Sequence, residues 1–190
     1  MKNPSEIHMK VANIILKYVK YTLNFGIHYY SAEKFNLVGF SNSDWGGSVD
    51  DHQSTSRNRF SFGSILITSS SRKKIIVALS STEVEYVAIT SVGTQALWLR
   101  KIFEEIGEKQ IQPTMIYCDN VSAIKLAKNP IHHSMTKHFD MKYHFIRDLV
   151  QKNDVELKHI NTKHQLADIF TKVVAKDQFL ALRDKLVSPH

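Results

Sequence analysis

Met115-Ile116-Tyr117-Cys118 is a short, uninterrupted apolar run, followed at once by Asp119-Asn120 and then by a helical pattern over 122–128 that ends at Asn129-Pro130. A run of this kind suits a strand buried on both faces, as parallel strands are, and not one with a face in water. A strand passing directly into a helix belongs to the strand-helix units of an α/β sheet. In such sheets ligands gather beyond the carboxyl ends of the strands, which is where Asp119 stands.

Upstream the pattern differs. Three strand candidates, 36–41, 60–68 and 74–79, follow one another with no helix between them, the last set off by a Ser69-Ser70-Ser71 turn. Their aromatic and β-branched content predicts an antiparallel meander. Ser80-Ser81-Thr82-Glu83 then opens a long helix, with Ser81 or Thr82 as cap, Glu83 or Glu85 in its first turn and Gly107 as its stop. Its expected inner stripe is Val87, Thr90, Ser91, Thr94, Leu97, Trp98 and Ile102, and Trp45 joins Trp98 as an expected core residue. Downstream, 135–152 reads as a helix with Met141, Phe145, Ile146 and Leu149 inward. Residues 155–160 alternate as a strand, and 164–186 is helical in one or two pieces. The order is three strands, helix, strand, two helices, strand, helix, which predicts a mixed sheet covered by helices. Ahead of it, 5–21 is an amphipathic helix with Ile7, Val11, Ile14, Ile15 and Tyr18 on one stripe. That opening segment is too small to fold alone and reads as an appendage.

The chain has 190 residues, 43% apolar and 23% charged, enough for one globular domain and a short extension. Seven glycines and four prolines exclude a collagen-like or linker-dominated chain. Lys and Arg total 25 against 18 Asp and Glu, a formal charge of +7 that favours an anionic partner, nucleic acid foremost. Cys118 is the one cysteine, so an intrachain disulfide and a multi-cysteine zinc site are excluded, and a reducing compartment fits. No apolar run approaches the ~20 residues of a membrane span, and Met1-Lys2-Asn3-Pro4 lacks the apolar core of a signal peptide. The expectation is an intracellular protein, cytoplasmic or nuclear, with no membrane association.

Three carboxylates sit at the ends of candidate buried elements. Asp119 either takes part in chemistry or caps the helix that follows it. Glu85 lies near the start of the long helix, where the macrodipole favours negative charge in any case. Asp168, in Gln165-Leu166-Ala167-Asp168-Ile169-Phe170, is a site residue or a solvated face residue of the last helix. Singly each has an ordinary explanation; in chain order, they could converge on one edge of the sheet. Several carboxylates without clustered cysteines suit hard, oxygen-preferring cations such as Mg²⁺ or Mn²⁺. Two such ions about 3.5–4 Å apart activate water and stabilise the leaving oxygen of a phosphodiester.

The motifs together resemble the ribonuclease H domain of the Pol polyprotein of copia-type LTR retrotransposons. The matching stretches are Gly39-Phe40-Ser41-Asn42-Ser43-Asp44-Trp45-Gly46, Ser54-Thr55-Ser56, Val77-Ala78-Leu79-Ser80-Ser81-Thr82-Glu83-Val84-Glu85-Tyr86 and Ile116-Tyr117-Cys118-Asp119-Asn120. Lys137-His138-Phe139-Asp140, Tyr143-His144-Phe145-Ile146-Arg147 and Gln165-Leu166-Ala167-Asp168-Ile169-Phe170-Thr171-Lys172 complete the set. They occur in the family's order from about Leu37 to Leu186. The resemblance implies an α/β fold of the ribonuclease H-like type, a five-stranded mixed sheet with helices on its faces, over 33–190. It also implies that 1–32, notably Ile15-Leu16-Lys17-Tyr18-Val19-Lys20, is a remnant of the reverse transcriptase C-terminal region.

By the same resemblance the chemistry is endonucleolytic, two-metal hydrolysis of the RNA strand of an RNA/DNA hybrid. Glu85, Asp119 and Asp168 match the family's catalytic and metal-holding carboxylates, and Glu83 is the weaker match for the helix glutamate. The first position departs from the pattern. Where the family reads Ser-Asp-Ala-Asp-Trp, this chain has Ser41-Asn42-Ser43-Asp44-Trp45, so the shared aspartate is replaced by Asn42. An amide oxygen can coordinate a cation but brings no charge. A loss of roughly 4 kcal/mol of transition-state stabilisation slows the reaction about a thousandfold. Asp44 points to the same side of a strand as residue 42 but stands roughly 7 Å further along, so its service as a substitute needs local distortion.

Further departures are Arg57-Asn58 for the usual Gly-Tyr, Ser69 for a Trp, and Met135 for a basic residue. Lys137, His138, Lys142 and Arg147 form a candidate basic surface for the phosphates of a hybrid or of double-stranded nucleic acid, or an ordinary solvated helix face. The expectation is a weak or inactive enzyme needing Mg²⁺ or Mn²⁺, two ions if active. The alternative is a non-catalytic nucleic-acid-binding module or a domesticated protein-interaction module, with no protein partner identified.

Overall fold

The computed structural model describes residues 4–23, 36–44, 54–63, 65–73, 80–128, 137–162, 177 and 179–182. Leu37–Asp44 (β1), Thr55–Phe62 (β2) and Ile65–Lys73 (β3) form an antiparallel meander. Thr114–Cys118 (β4) and Val155–His159 (β5) pair in parallel, and β4 lies parallel to β1, giving one five-stranded mixed sheet in the order β3-β2-β1-β4-β5. A meander is present, but not from the strands expected: the 60–68 stretch is divided between β2 and β3, and Ser69-Ser70-Ser71, expected as a turn, lies within β3 opposite Arg57–Arg59. Gly63, with φ +61°, sits where the expected 60–68 strand should be continuous, and the chain turns there from β2 into β3. Glycine tolerates that left-handed conformation without a Cβ clash, which lets Phe62 pair with Ile65 across a tight connection. The expected strand at 74–79 lies outside the described residues, as do the candidate strand at 27–30 and Trp45.

Ser81–Glu105 (α2) lies across β1, and Val121–Lys128 (α3) and Lys137–Gln151 (α4) complete the helices between the strands. Ser80 caps α2, its hydroxyl accepting from the backbone N–H of Glu83 at 3.2 Å, one residue earlier than the composition suggested. The buried side of α2 is Ile89, Val92, Ala96, Leu99 and Phe103, packed with Phe60, Ile116, Ile146 and Leu157 into a single core. Of the expected stripe Thr90 is buried, whereas Ser91 and Thr94 are exposed and Trp98 is 56% exposed, so Trp98 is not a core residue. The buried stripe runs instead through Ile89, Val92, Ala96, Leu99 and Phe103, with Tyr86 and Ala88 buried beside it, which turns Trp98 toward solvent. The sheet approaches this face closely. A Cβ on Gly39 would stand 2.9 Å from Cε1 of Phe60 on β2 and 3.3 Å from Cγ1 of Val92 on α2, so any side chain here would have to displace the Phe60 ring and press on the helix.

Within α4, Ile146 and Leu149 are buried as expected and Phe145 is half-buried. Of the final helical stretch, 177 and 179–182 are described and helical, with Leu182 buried. Glu6–Tyr21 (α1) starts at a capping box between Ser5 and His8, and no residue of it is buried. None of the described helices is long and apolar enough to cross a membrane.

Candidate active site

The sheet topology places the carboxyl end of β4 beside that of β1. Their parallel register pairs Gly39 with Ile116 and Phe40 with Tyr117. Phe40 and Tyr117 also stack, with ring centroids 5.2 Å apart. Two residues further along each strand stand Asn42 and Asp119, so these two positions leave the sheet on neighbouring strands at the same edge. Strand alternation puts Gly39 on the α2 side and Phe40 and Asn42 on the other. Asn42 is buried there.

Asp119 follows the last β4 residue, and Asn120 begins the turn into α3. The side-chain oxygen of Asn120 accepts from the backbone N–H of Ala123 at 3.0 Å, so Asn120 caps α3 and Asp119 does not. That settles the ordinary explanation for Asp119: its carboxylate is half-exposed and free of the capping role. Among the described residues its hydrogen-bond donor is the hydroxyl of Thr162, 3.2 Å from Oδ2.

Glu85 approaches from the amino-terminal part of α2 and is 5% exposed. Its Oε1 accepts from the backbone N–H of Ser43 at 2.7 Å, and its Oε2 lies 3.7 Å from the Cys118 thiol. Burial pushes the Glu85 carboxyl up to about 7, the nearby charge of Asp119 adds to this, and the Ser43 and Cys118 hydrogen bonds oppose it. Burial likewise pushes the Cys118 thiol well above its ordinary range, and the charge of Glu85 reinforces the shift. The thiol is therefore protonated and acts as a weak donor.

One ligand atom each of Glu85, Cys118 and Asp119 lies within 4.8 Å of the others. Beside them opens a cleft of about 340 Å³ lined by Ser43, Ser81, Glu85, Asp119, Asn120, Val121 and Ser122. Two carboxylates facing a polar cleft, one buried so deeply that its charge is disfavoured, form a donor set that fits a hard divalent cation. The neutral thiol beside them adds no hard oxygen.

The structure thus brings Glu85 and Asp119 together, with Asn42 on the adjacent strand. Glu83 is buried but does not line the cleft. Asp44 ends β1, paired with Thr55; its side chain, and the whole of Asp168, lie outside the described residues. Lys137, His138 and Lys142 fall on α4, with side chains likewise outside the description. Arg147 is half-buried and its Nη2 donates to the carbonyl oxygen of Leu126 at 3.4 Å, so part of the guanidinium links α4 to α3. Two contributors escaped the sequence reading. Ser43 meets Glu85 through its backbone N–H and through its side chain, a role that its place in β1 did not announce. Thr162 reaches Asp119 across 43 positions of chain, and only the pairing of β4 with β5 joins them.

The chain is similar over almost its whole length to the retrovirus-related Pol polyproteins of transposon RE1 from Arabidopsis thaliana, 36% identical over 186 residues, and of transposon TNT 1-94 from Nicotiana tabacum, 34% identical over 190. The matches cover 98% and 100% of this chain but 13% and 14% of the relatives, so it spans a small part of their length. No protein-family model matches the chain. Among solved structures, LC11-RNase H1 isolated from compost matches with a TM-score of 0.50 at 11% identity, over 80% of this chain and 99% of that one. At such identity the likeness is one of fold.

Proposed function

This chain belongs to the retrovirus-related Pol polyproteins of copia-type retrotransposons and carries their ribonuclease H-like domain, and from that premise we propose that it acts on the RNA strand of RNA/DNA hybrids by two-metal phosphodiester hydrolysis, with its activity impaired at Asn42. The observation that carries this reading is the meeting of Glu85 and Asp119 at the carboxyl edge of β4, on a polar cleft, with Asn42 on the adjacent strand. In the proposed division, 33–190 forms the ribonuclease H-like domain and 1–32 is the remnant of the reverse transcriptase region.

Glu85 and Asp119 would hold the cations, Mg²⁺ or Mn²⁺, with Asp168 as the third carboxylate. Bound there, such ions activate a water and neutralise charge developing at a phosphodiester. The chain's own residues set the conditions. The N–H of Ser43 fixes Glu85 in its buried position, and the buried thiol of Cys118 closes the site from behind without competing as a charged ligand. Asn42 supplies an amide oxygen where a third negative charge is expected, which leaves the site with less charge to draw a second cation. Asp44 is the candidate substitute. Lys137, His138, Lys142 and Arg147 are proposed to meet the phosphates of the hybrid, consistent with the formal charge of +7.

The test is cleavage of a labelled RNA/DNA hybrid in Mg²⁺ and in Mn²⁺ by the natural chain, Asn42→Asp and Asp119→Asn. The expected result is slow or absent cleavage by the natural chain, a gain of about a thousandfold in Asn42→Asp, and none in Asp119→Asn. Cleavage by the natural chain at the Asn42→Asp rate refutes the impairment. Salt-sensitive hybrid binding with no cleavage by any variant favours instead the non-catalytic binding module, for which the missing charge at position 42 is the specific observation.

A further inference from the structure

We propose that Thr162 is a positioning residue for the metal-holding carboxylate of Asp119; the inference rests on the proposed two-metal reading of this cleft. Asp119 lies just beyond the end of β4, at a bend, and is half-exposed. A carboxylate in that situation normally takes its orientation from the helix that follows, by accepting backbone N–H groups. Here Asn120 has taken that task. Asp119 is left with a rotatable side chain and one hydrogen-bond donor among the described residues, the Thr162 hydroxyl at 3.2 Å from Oδ2.

The sheet explains how Thr162 comes to be there. β5 runs parallel to β4 with Cys118 opposite His159, and the ladder continues one step past the strand end, where the N–H of Ile160 donates to the carbonyl oxygen of Cys118 at 3.0 Å. The backbone of 160–162 is thereby anchored to the residue before Asp119. A side chain two residues beyond that anchor is held at a set distance from the carboxylate. Thr suits the task better than a longer donor. Its β-branch restricts χ1, so the hydroxyl is presented in few directions.

The consequence is that one oxygen of Asp119 is tied to the chain following β5 through Thr162. With that oxygen held, the carboxylate cannot turn freely into solvent, and the ligand-bearing group is kept near Glu85. One of its oxygens lies within 4.8 Å of one ligand atom each of Glu85 and Cys118 in this arrangement. Pre-orientation of a ligand by a partner that does not itself bind the cation is the usual way in which affinity is tuned from outside the ligand set. In a site already short of one negative charge at Asn42, the orientation of each remaining carboxylate matters more.

Direct Mn²⁺ binding tests this, followed by the loss of the free-ion electron paramagnetic resonance signal on titration of the intact chain, Thr162→Val and Thr162→Ser. Valine keeps the shape of threonine and removes the hydroxyl; serine restores it. Thr162→Val is expected to bind Mn²⁺ about three- to tenfold more weakly, the range for one ordinary hydrogen bond, since the contact is exposed. Thr162→Ser is expected to recover most of that loss, with the urea unfolding midpoint unchanged in both variants. Equal Mn²⁺ affinity in Thr162→Val and the natural chain overturns the proposal while leaving the metal reading intact. A loss in Thr162→Val that serine fails to rescue overturns it as well, since packing and not the hydroxyl would then be responsible. A natural chain that takes up no Mn²⁺ refutes the two-metal reading itself, and the role of Thr162 with it.

Discussion

Replacing Glu85 with glutamine should stabilise the cation-free protein at neutral pH, although it removes a residue assigned to the site. The Glu85 carboxyl is 5% exposed, and burial, reinforced by the charge of Asp119, raises it from an ordinary 4.5 to about 7. Below pH 4.5 the group is protonated in the folded and the unfolded chain, and it adds no pH dependence. Between these values the folded chain retains a proton that the unfolded chain has released. The folded state then binds more protons, so stability falls as pH rises, and the loss levels off above about pH 7. At roughly 1.4 kcal/mol per pH unit, the full penalty is about 3 kcal/mol. Glutamine keeps the shape, can still accept from the Ser43 N–H, and has no charge to desolvate. Urea unfolding in the presence of a chelator, at pH 5 and pH 8, should show the stability difference between Glu85→Gln and the natural chain moving by about 2–3 kcal/mol in favour of the variant at the higher pH. Added Mg²⁺ or Mn²⁺ should narrow that gap by stabilising the natural chain alone. A difference that stays constant between the two pH values refutes the reasoning, because the carboxylate would then be solvated in the folded state.

Other expectations concern packing and caps. Gly39→Ala, which drives a Cβ to 2.9 Å from Phe60, should lower stability by about 1–3 kcal/mol in urea unfolding. Asn120→Ala removes the α3 cap and should cost about 0.5–2 kcal/mol, with the loss in helix content local to 121–128 by amide hydrogen exchange. Ile89→Ala, fully buried, should cost about 2–5 kcal/mol, whereas Trp98→Ala, 56% exposed, should stay within about 0.5 kcal/mol; the reverse order would restore Trp98 to the core.

Much of the architecture was legible from local chemistry. The uninterrupted apolar run at 115–118, the cap-rich start at 80–83 and the alternation at 155–160 each encode one element through contacts within a few residues, and each element is present. The misplacements arose where side-chain size misleads. Bulk pointed to Trp98, yet the buried face of α2 is the one that carries Ile89, Val92, Ala96, Leu99 and Phe103, with Val92 set against Gly39 of β1. The continuous reading of 60–68 failed because Gly63 adopts a conformation that interrupts the strand without breaking its composition.

The site divides along the same line. Motif and position at element ends named Glu85 and Asp119, because a carboxylate beside a strand end or helix start is recognisable from its neighbours in the chain. Their nearness is a property of the sheet order, which places β4 between β1 and β5 and brings α2 across them. The upward shift of Glu85, the release of Asp119 from capping and the reach of Thr162 follow from that assembly. Burial, and contacts between residues distant in the chain, exist only once the strands have paired; capping, turning and periodicity are written in neighbouring residues and can be read before any fold is known.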